Sequence, residues 1–443
     1  MKPFQVLIFI ASVFACLAGL CVVLPHEVPI GERTLRWPTL AEVMGGNDGM
    51  SAAEPLNDEM TEPVDSVTPE HRDSVIPEYR DSVIPERPSI PKVAVDSTTD
   101  SRVFLQSFYA SLAQASTRTV RVMHYGDSQI EEDRMTQQIR EALQKRYGGS
   151  GVGLMPLAQT IPSRTVRQEL RMSGKTVTPQ QGPRRYMVHG LKRDQRADGR
   201  YGMMGQMAAM NDSLVSGSET VTAICTPLDG RPRYTRWQVF ADSSITYSIH
   251  GDTVQLSGRG AVYGLSQESD SGVIVDNIPL RGCIGTVFTK MDSAQLSSFY
   301  REQNVRLIIM QFGGNAIPSN QKPGTIQGIV WGLREQVRLL QRYAPEADIL
   351  FIGPSDMQTQ VDGEWQTYPM VPYMDRLLRK MALEENIAYF SLYRWMGGAG
   401  SMLRWQEVGL AGSDGVHFTR SGARKAGNAV AEWLLGGMST NDQ

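Results

Sequence analysis

An α/β domain built on a parallel sheet and interrupted by a β-rich insertion is the fold class that this 443-residue sequence predicts. Two observations carry that expectation. Near-continuous apolar runs such as Val305–Gln311 and Ala347–Ile352 alternate with stretches of helical periodicity, as expected of strands buried on both faces beneath crossover helices. Between the first such unit and the others lies a region of short strands separated by Gly, Asp and Ser turns.

Ahead of the folded region, Lys2 precedes an uncharged apolar run, Phe4 to Leu24, close to the roughly 20 residues that a membrane-spanning helix needs. Residues 1–24 are read as an anchor, with the Lys2 end cytoplasmic and the remainder exported to the periplasmic or cell-envelope side. A cleaved signal is the alternative, because Val13-Phe-Ala15 offers cleavage positions and Val13-Phe-Ala-Cys16 weakly resembles a lipoprotein box. The apolar run continues past both positions, which favours the anchor. Residues 25–98 turn to Pro, Glu, Asp and Ser and contain an octad three times, at Asp65–Arg72, Asp73–Arg80 and Asp81–Pro88. With a proline in every copy and so short a period, the octads read as an extended tether, not a solenoid.

Folded sequence begins near Ser101, where Phe104, Leu105, Phe108, Tyr109 and Leu112 follow helical spacing. A strand at Val120–Tyr125, a turn at Gly126-Asp-Ser128 and a helix from Ile130 to Tyr147 form a β-loop-α unit. Further strands are expected at Val305–Gln311, Ala347–Ile352 and Ile387–Leu392, with helices around Ile326–Tyr343, Tyr373–Glu385 and Thr419–Leu435. The insertion is expected at 165–281, with strands Thr220–Cys225, Tyr234–Phe240, Ile245–Ile249 and Gly272–Val275, between α/β portions 99–164 and 282–437 and before a tail at 438–443. Its alternating Tyr234, Trp237 and Phe240 read as β-domain core, with stacking on sugar rings the alternative. Gly148, Gly149, Gly151 and Gly153 follow a helix, which argues against a dinucleotide site and predicts a loop near the active-site rim.

A balance of 44 Lys+Arg against 47 Asp+Glu gives a net charge of −3, without the basic footprint of a nucleic-acid binder. No cysteine or histidine cluster has zinc spacing, and no metal or cofactor is expected. Cys16 and Cys21 lie in the apolar segment. Cys225 and Cys283 fit either one disulfide or two separate thiols.

Gly126-Asp-Ser128 and Asp414-Gly-Val-His417 supply a serine, a carboxylate and a histidine, the set that turns a weak hydroxyl into a nucleophile. Ser128 falls between strand and helix, where negative charge is stabilised. Each motif alone has a conformational explanation, as has the turn Phe312-Gly-Gly-Asn315. In combination with Gly282-Cys-Ile-Gly285, and in this order, they resemble the blocks of the SGNH (GDSL-type) hydrolases over residues 100–160 and 282–437. The resemblance implies a three-layer α/β/α sandwich, with Ser128 as nucleophile, His417 as general base and Asp414 orienting it. It also implies oxyanion donors at the Ser128 N–H, the Gly285 N–H and the Asn315 side chain. Gln129 stands where the GDSL tetrapeptide has leucine, and Leu280 where the second block commonly begins with asparagine.

His124, inside a strand, is expected to pack or to support the site. Asp356, after Gly353-Pro-Ser355, is a candidate substrate contact on a rim loop. The absence of a G-x-S-x-G elbow argues against an ordinary α/β-hydrolase. Export together with a β-rich insertion resembles the peptidoglycan and polysaccharide O-acetylesterases, which implies an acetylated cell-envelope glycan as substrate. Glycan O-acetyl transfer and non-catalytic glycan binding are the alternatives.

Overall fold

The computed structural model describes residues 27–30, 33–36, 100–157, 161–172, 175–177, 220–228, 234–241, 243–258, 262–291 and 293–436. The apolar segment 1–24, the three octads and the tail lie outside these residues. Among the described residues no helix is long and apolar enough to cross a membrane. Within the tether region β1 (Glu27–Ile30) pairs antiparallel with β2 (Arg33–Arg36), where the composition predicts only extended chain.

The strands that follow are β3 (Thr119–Gly126), β4 (Gly153–Met155), β5 (Val166–Met172), β6 (Lys175–Val177), β7 (Val221–Pro227), β8 (Arg236–Ala241), β9 (Ile245–His250) and β10 (Thr253–Gly258). They continue with β11 (Val262–Glu268), β12 (Gly272–Pro279), β13 (Val305–Gln311), β14 (Asp348–Gly353), β15 (Gln358–Val361), β16 (Glu364–Thr367) and β17 (Ala388–Ser391). The α-helices are α1 (Gln106–Leu112), α2 (Thr136–Tyr147), α3 (Ser293–Glu302), α4 (Pro323–Tyr343), α5 (Val371–Glu384), α6 (Leu392–Met396), α7 (Ser401–Glu407) and α8 (Arg420–Gly436).

Five parallel strands in the order β12-β3-β13-β14-β17 form the central sheet. Successive side chains on a strand point to opposite faces, so β13 sends Leu307 and Ile309 one way and Ile308 and Met310 the other. Leu307 and Ile309 join Phe108, Ile139 and Val430 of the α1, α2 and α8 layer. Ile308 and Met310 join Leu296, Leu333 and Leu378 of the α3, α4 and α5 layer. The result is the expected α/β/α sandwich. Register aligns Gly126 with both Gln311 and Pro279, so the loops at 127–128, 280–285 and 312–315 leave one carboxyl edge, where open α/β sheets bind ligands.

The β-rich part forms two antiparallel sheets, β6-β5-β7-β10-β9 and β4-β11-β8. Their inner residues, among them Val166, Val221, Val254 and Leu265, are continuous with the α3–α5 face of the sandwich. Tyr234 meets Trp237 edge-on, and Phe240 packs on Phe299.

Four expectations are corrected. Gly272–Pro279 is the edge strand β12 of the parallel sheet, not part of the insertion, and accordingly Val273, Ile274 and Val275 are all buried. Gly153–Met155 belongs to the three-stranded accessory sheet rather than to the first hydrolase portion. The helix expected from Ile130 begins at Thr136, because Glu132 and Asp133 take positive φ values of 61° and 63°. Finally, the glycine loop 148–153 lies away from the catalytic edge. It presses on the start of β12 and on β11, where a β-carbon at Gly149 would lie 2.4 Å from the Val273 carbonyl oxygen and one at Gly151 would lie 2.0 Å from that of Gln267.

No disulfide joins Cys225 to Cys283. Cys225 is buried in the accessory core, and burial pushes its thiol up to about 12.

Candidate active site

β3 ends at Gly126, and Asp127 leads into a short 3-10 turn at Ser128–Asp133. A β-carbon on Gly126 would lie 2.9 Å from Ile130 Cδ1, so the smallest residue lets the chain fold back directly after the strand. The turn displays Ser128 at the carboxyl edge.

His417 comes from the loop before α8. Its Nε2 lies 2.9 Å from Ser128 Oγ, and its Nδ1 lies 2.6 Å from Asp414 Oδ2. A carboxylate facing Nδ1 holds the proton on that nitrogen and leaves the Nε2 lone pair for the serine hydroxyl. The other oxygen of Asp414 accepts the backbone N–H groups of Val416 and His417, each at 3.0 Å. Partial burial pushes the Asp414 carboxyl up, but hydrogen bonds from the His417 side chain and backbone and from Val416 outweigh it and hold it below its ordinary value. The carboxylate is therefore charged at neutral pH. The arrangement can remove the Ser128 proton and stabilise the imidazolium that results.

Asn315 sits on a 3-10 turn entered through Gly313 in the left-handed region at φ 107°. Its Nδ2 donates to Asp127 Oδ2 at 3.1 Å and to the Cys283 carbonyl at 3.2 Å. Asn315 lines a cavity with Ser128, Gln129, Pro354, Met357 and Val416. At Gly285 a β-carbon would run into Phe312 and Leu333, and its N–H donates to Cys283 Sγ at 3.2 Å. Asp356 is corrected from a rim contact to an internal brace. It is fully buried and accepts from Thr367, Ser401 and the Met402 N–H.

Several residues around the triad are not legible from their motifs. Gln129 donates through Nε2 to the Val416 carbonyl at 2.7 Å, tying the nucleophile turn to the histidine loop. Glu131, 2% exposed, forms a two-point pair with Arg281 at 2.6 and 2.6 Å and so ties that turn to the 281–285 loop. His124 is buried between Gln311 and Thr136, at 3.2 and 2.9 Å, and burial pushes it down to about 3. It supports the strand and does not face Ser128.

Asp127 is buried beside the nucleophile, and burial pushes its carboxyl up to about 6 against the pull of the Gln129 N–H and of His417. The folded protein therefore keeps this proton where the unfolded chain has released it. The resulting stabilisation is complete below about pH 4 and is lost as pH rises through about 6. Asp127→Asn cannot ionise, and it is expected to abolish roughly 3 kcal/mol of stability loss between about pH 4 and pH 7. Urea unfolding across that range reads the difference, and parallel curves for the two proteins would contradict it.

No family model and no curated protein sequence matches the chain. Among solved structures, a peptidoglycan O-acetylesterase superposes with a TM-score of 0.54 at 23% identity, covering 77% of this chain and 96% of that one. The acetyl xylan esterase AlAXEase gives a TM-score of 0.28 at 12% identity, covering 38% and 82%. A GDSL-like lipase from Parabacteroides merdae gives 0.26 at 16%, covering 38% and 74%. The first likeness agrees with the sheet order and the carboxyl-edge motifs: the chain has the SGNH-hydrolase fold, with additional antiparallel sheets.

Proposed function

We propose that this chain is a serine esterase that removes O-acetyl groups from a cell-envelope glycan through an acetyl-Ser128 intermediate. The observation that carries the proposal is the unbroken relay from Asp414 through His417 to Ser128 at the mouth of a small cavity. That cavity measures about 50 Å³. Since one water needs roughly 10–15 Å³ on the same measure, there is room for a group of acetyl size beside Ser128. The His417 and Asp414 side chains are 41% and 51% exposed, so the relay lies open to a polymer. The likeness to a peptidoglycan O-acetylesterase supports a glycan, and the apolar run at 1–24 supports an anchored, envelope-side enzyme.

In this reading Ser128 Oγ attacks the acetyl carbonyl carbon while His417 Nε2 takes the hydroxyl proton. The carbonyl oxygen becomes an oxyanion held by the Ser128 N–H and Asn315 Nδ2, as the stronger charged acceptor displaces the Cys283 carbonyl. The Gly285 N–H joins them by exchanging Cys283 Sγ for the oxyanion. Collapse breaks the bond to the sugar oxygen, which receives the proton from His417. Water, deprotonated by His417, then hydrolyses acetyl-Ser128 to acetate.

The test is acetate release by the full chain from O-acetylated peptidoglycan and from acetylated xylan. A folded protein that releases none from either polymer would sink the proposal. Appearance of the acetyl group on an added glycan hydroxyl would make the protein a transferase with the same intermediate. Asn315→Ala is expected to lower kcat by about 100- to 1000-fold, measured with 4-nitrophenyl acetate. A change below about threefold would remove Asn315 from the oxyanion site.

A further inference from the structure

We infer that Trp365 is the aromatic platform of a saccharide subsite beside the catalytic loop, an inference that rests on the glycan esterase reading. β15 begins at Gln358, directly after Met357 in the cavity wall, so the β15–β16 hairpin grows out of the acyl pocket itself. Its two-residue turn, Asp362-Gly363, has φ values of 52° and 84°, which matches the twist of a tight hairpin. Cross-strand pairs share a face, so the pairs Gln358–Thr367 and Gln360–Trp365 put all four residues on one side.

That side meets the loop between Asp414 and His417. The Gln358 N–H donates to the Gly415 carbonyl at 2.9 Å. Gly415, φ 69°, is buried between Asp414 and His417 in sequence. A β-carbon on it would lie 3.2 Å from Gln358 Cβ and 3.4 Å from Trp365 Cζ3. One edge of the indole therefore covers the catalytic loop, yet the residue remains 41% exposed. Core packing does not account for a large apolar ring left open at this point, one residue from Asp414.

A pyranose ring presents a flat face of C–H groups, flanked by hydroxyls. An indole against the loop that carries Asp414 and His417 suits that face, and the exposed amide of Gln360 on the same side can meet a hydroxyl. The occupant is thus a sugar ring of the acetylated chain itself, held while its ester enters the cavity. A small ester with no sugar has nothing to place on the platform.

Trp365→Ala, Trp365→Phe and wild type, each as the full chain, are to be compared on partially O-acetylated peptidoglycan, acetylated xylan and the ring-free ester ethyl acetate. For Trp365→Ala the ratio of kcat/KM on the preferred polymer to that on the small ester is expected to fall by about tenfold, chiefly through KM, with Trp365→Phe recovering most of it. A ratio within about twofold of wild type would overturn the inference, because loss on both substrates alike means that Trp365 merely props Gly415. Wild type active on the small ester but on neither polymer would refute the glycan esterase reading instead. Binding of the same polymers to the Ser128→Ala protein, followed by calorimetry, then decides the subsite: binding weakened by adding Trp365→Ala supports it, and no binding or no weakening overturns it.

Discussion

Ser128→Ala lowers kcat for acetate release by a factor of about 10,000 or more, and His417→Ala does nearly the same. The double variant is expected to be no worse than the slower single one. Ser128 and His417 share one proton across 2.9 Å, so removing either leaves the other without a task. Asp414→Asn belongs with them: its amide can offer an N–H to Nδ1, which favours the wrong imidazole tautomer while the backbone bonds to Val416 and His417 are weakened. Residual acetate release within tenfold of wild type in Ser128→Ala would exclude Ser128 as the nucleophile. Additive losses in the double variant would exclude a shared step.

Arg121→Met is expected to destabilise the protein by about 3–5 kcal/mol, read as a lower urea midpoint at unchanged slope. Arg121 is 1% exposed on β3 and donates to both oxygens of Asp276 at 2.9 Å on the neighbouring strand β12. It also reaches Glu268 at the end of β11, so one guanidinium joins the parallel sheet to the accessory sheet. Both acids are fully buried. Glu268 keeps Arg236 at 2.7 Å and the Ser266 hydroxyl at 2.8 Å, whereas Asp276 keeps the Leu154 N–H at 2.8 Å. Asp276 is therefore the charge left stranded, and adding Asp276→Leu is expected to recover much of the loss. A single variant within about 1 kcal/mol of wild type would mean that the network contributes little.

The meeting of Ser128, His417 and Asp414 was legible in the sequence because a reactive hydroxyl needs a base and an orienting acid, and the two motifs supply all three. The strands of the parallel sheet were legible because both faces are covered and their apolar runs are unbroken. The supports were not. Gln129, Glu131 and Arg281 are polar residues of kinds found on any surface, and only their approach to Val416 and to one another gives them a task. The β12 boundary was misplaced for a different reason: Gly272 follows a run of β turns, and periodicity does not reveal which sheet a strand joins. The glycine loop was misplaced because positive φ can be anticipated from glycines, but not the surface they press upon. Trp365 sits in a hairpin of only four residues per strand, below the length at which alternation separates a strand from a loop.

Ser128 and His417 lie 289 positions apart in the chain, and β3 finds its partner β12 across more than a hundred intervening residues. Closing so long a loop costs only slightly more than closing a shorter one, because the entropy penalty grows with the logarithm of its length. Contacts so distant do slow the search for the native arrangement. Ser128 is made early in synthesis and meets His417 only once β13, β14, β17 and α8 have emerged and docked. The Ser128–His417 pair is then a property of the finished chain, and a nascent or clipped polypeptide carries Ser128 without its partner.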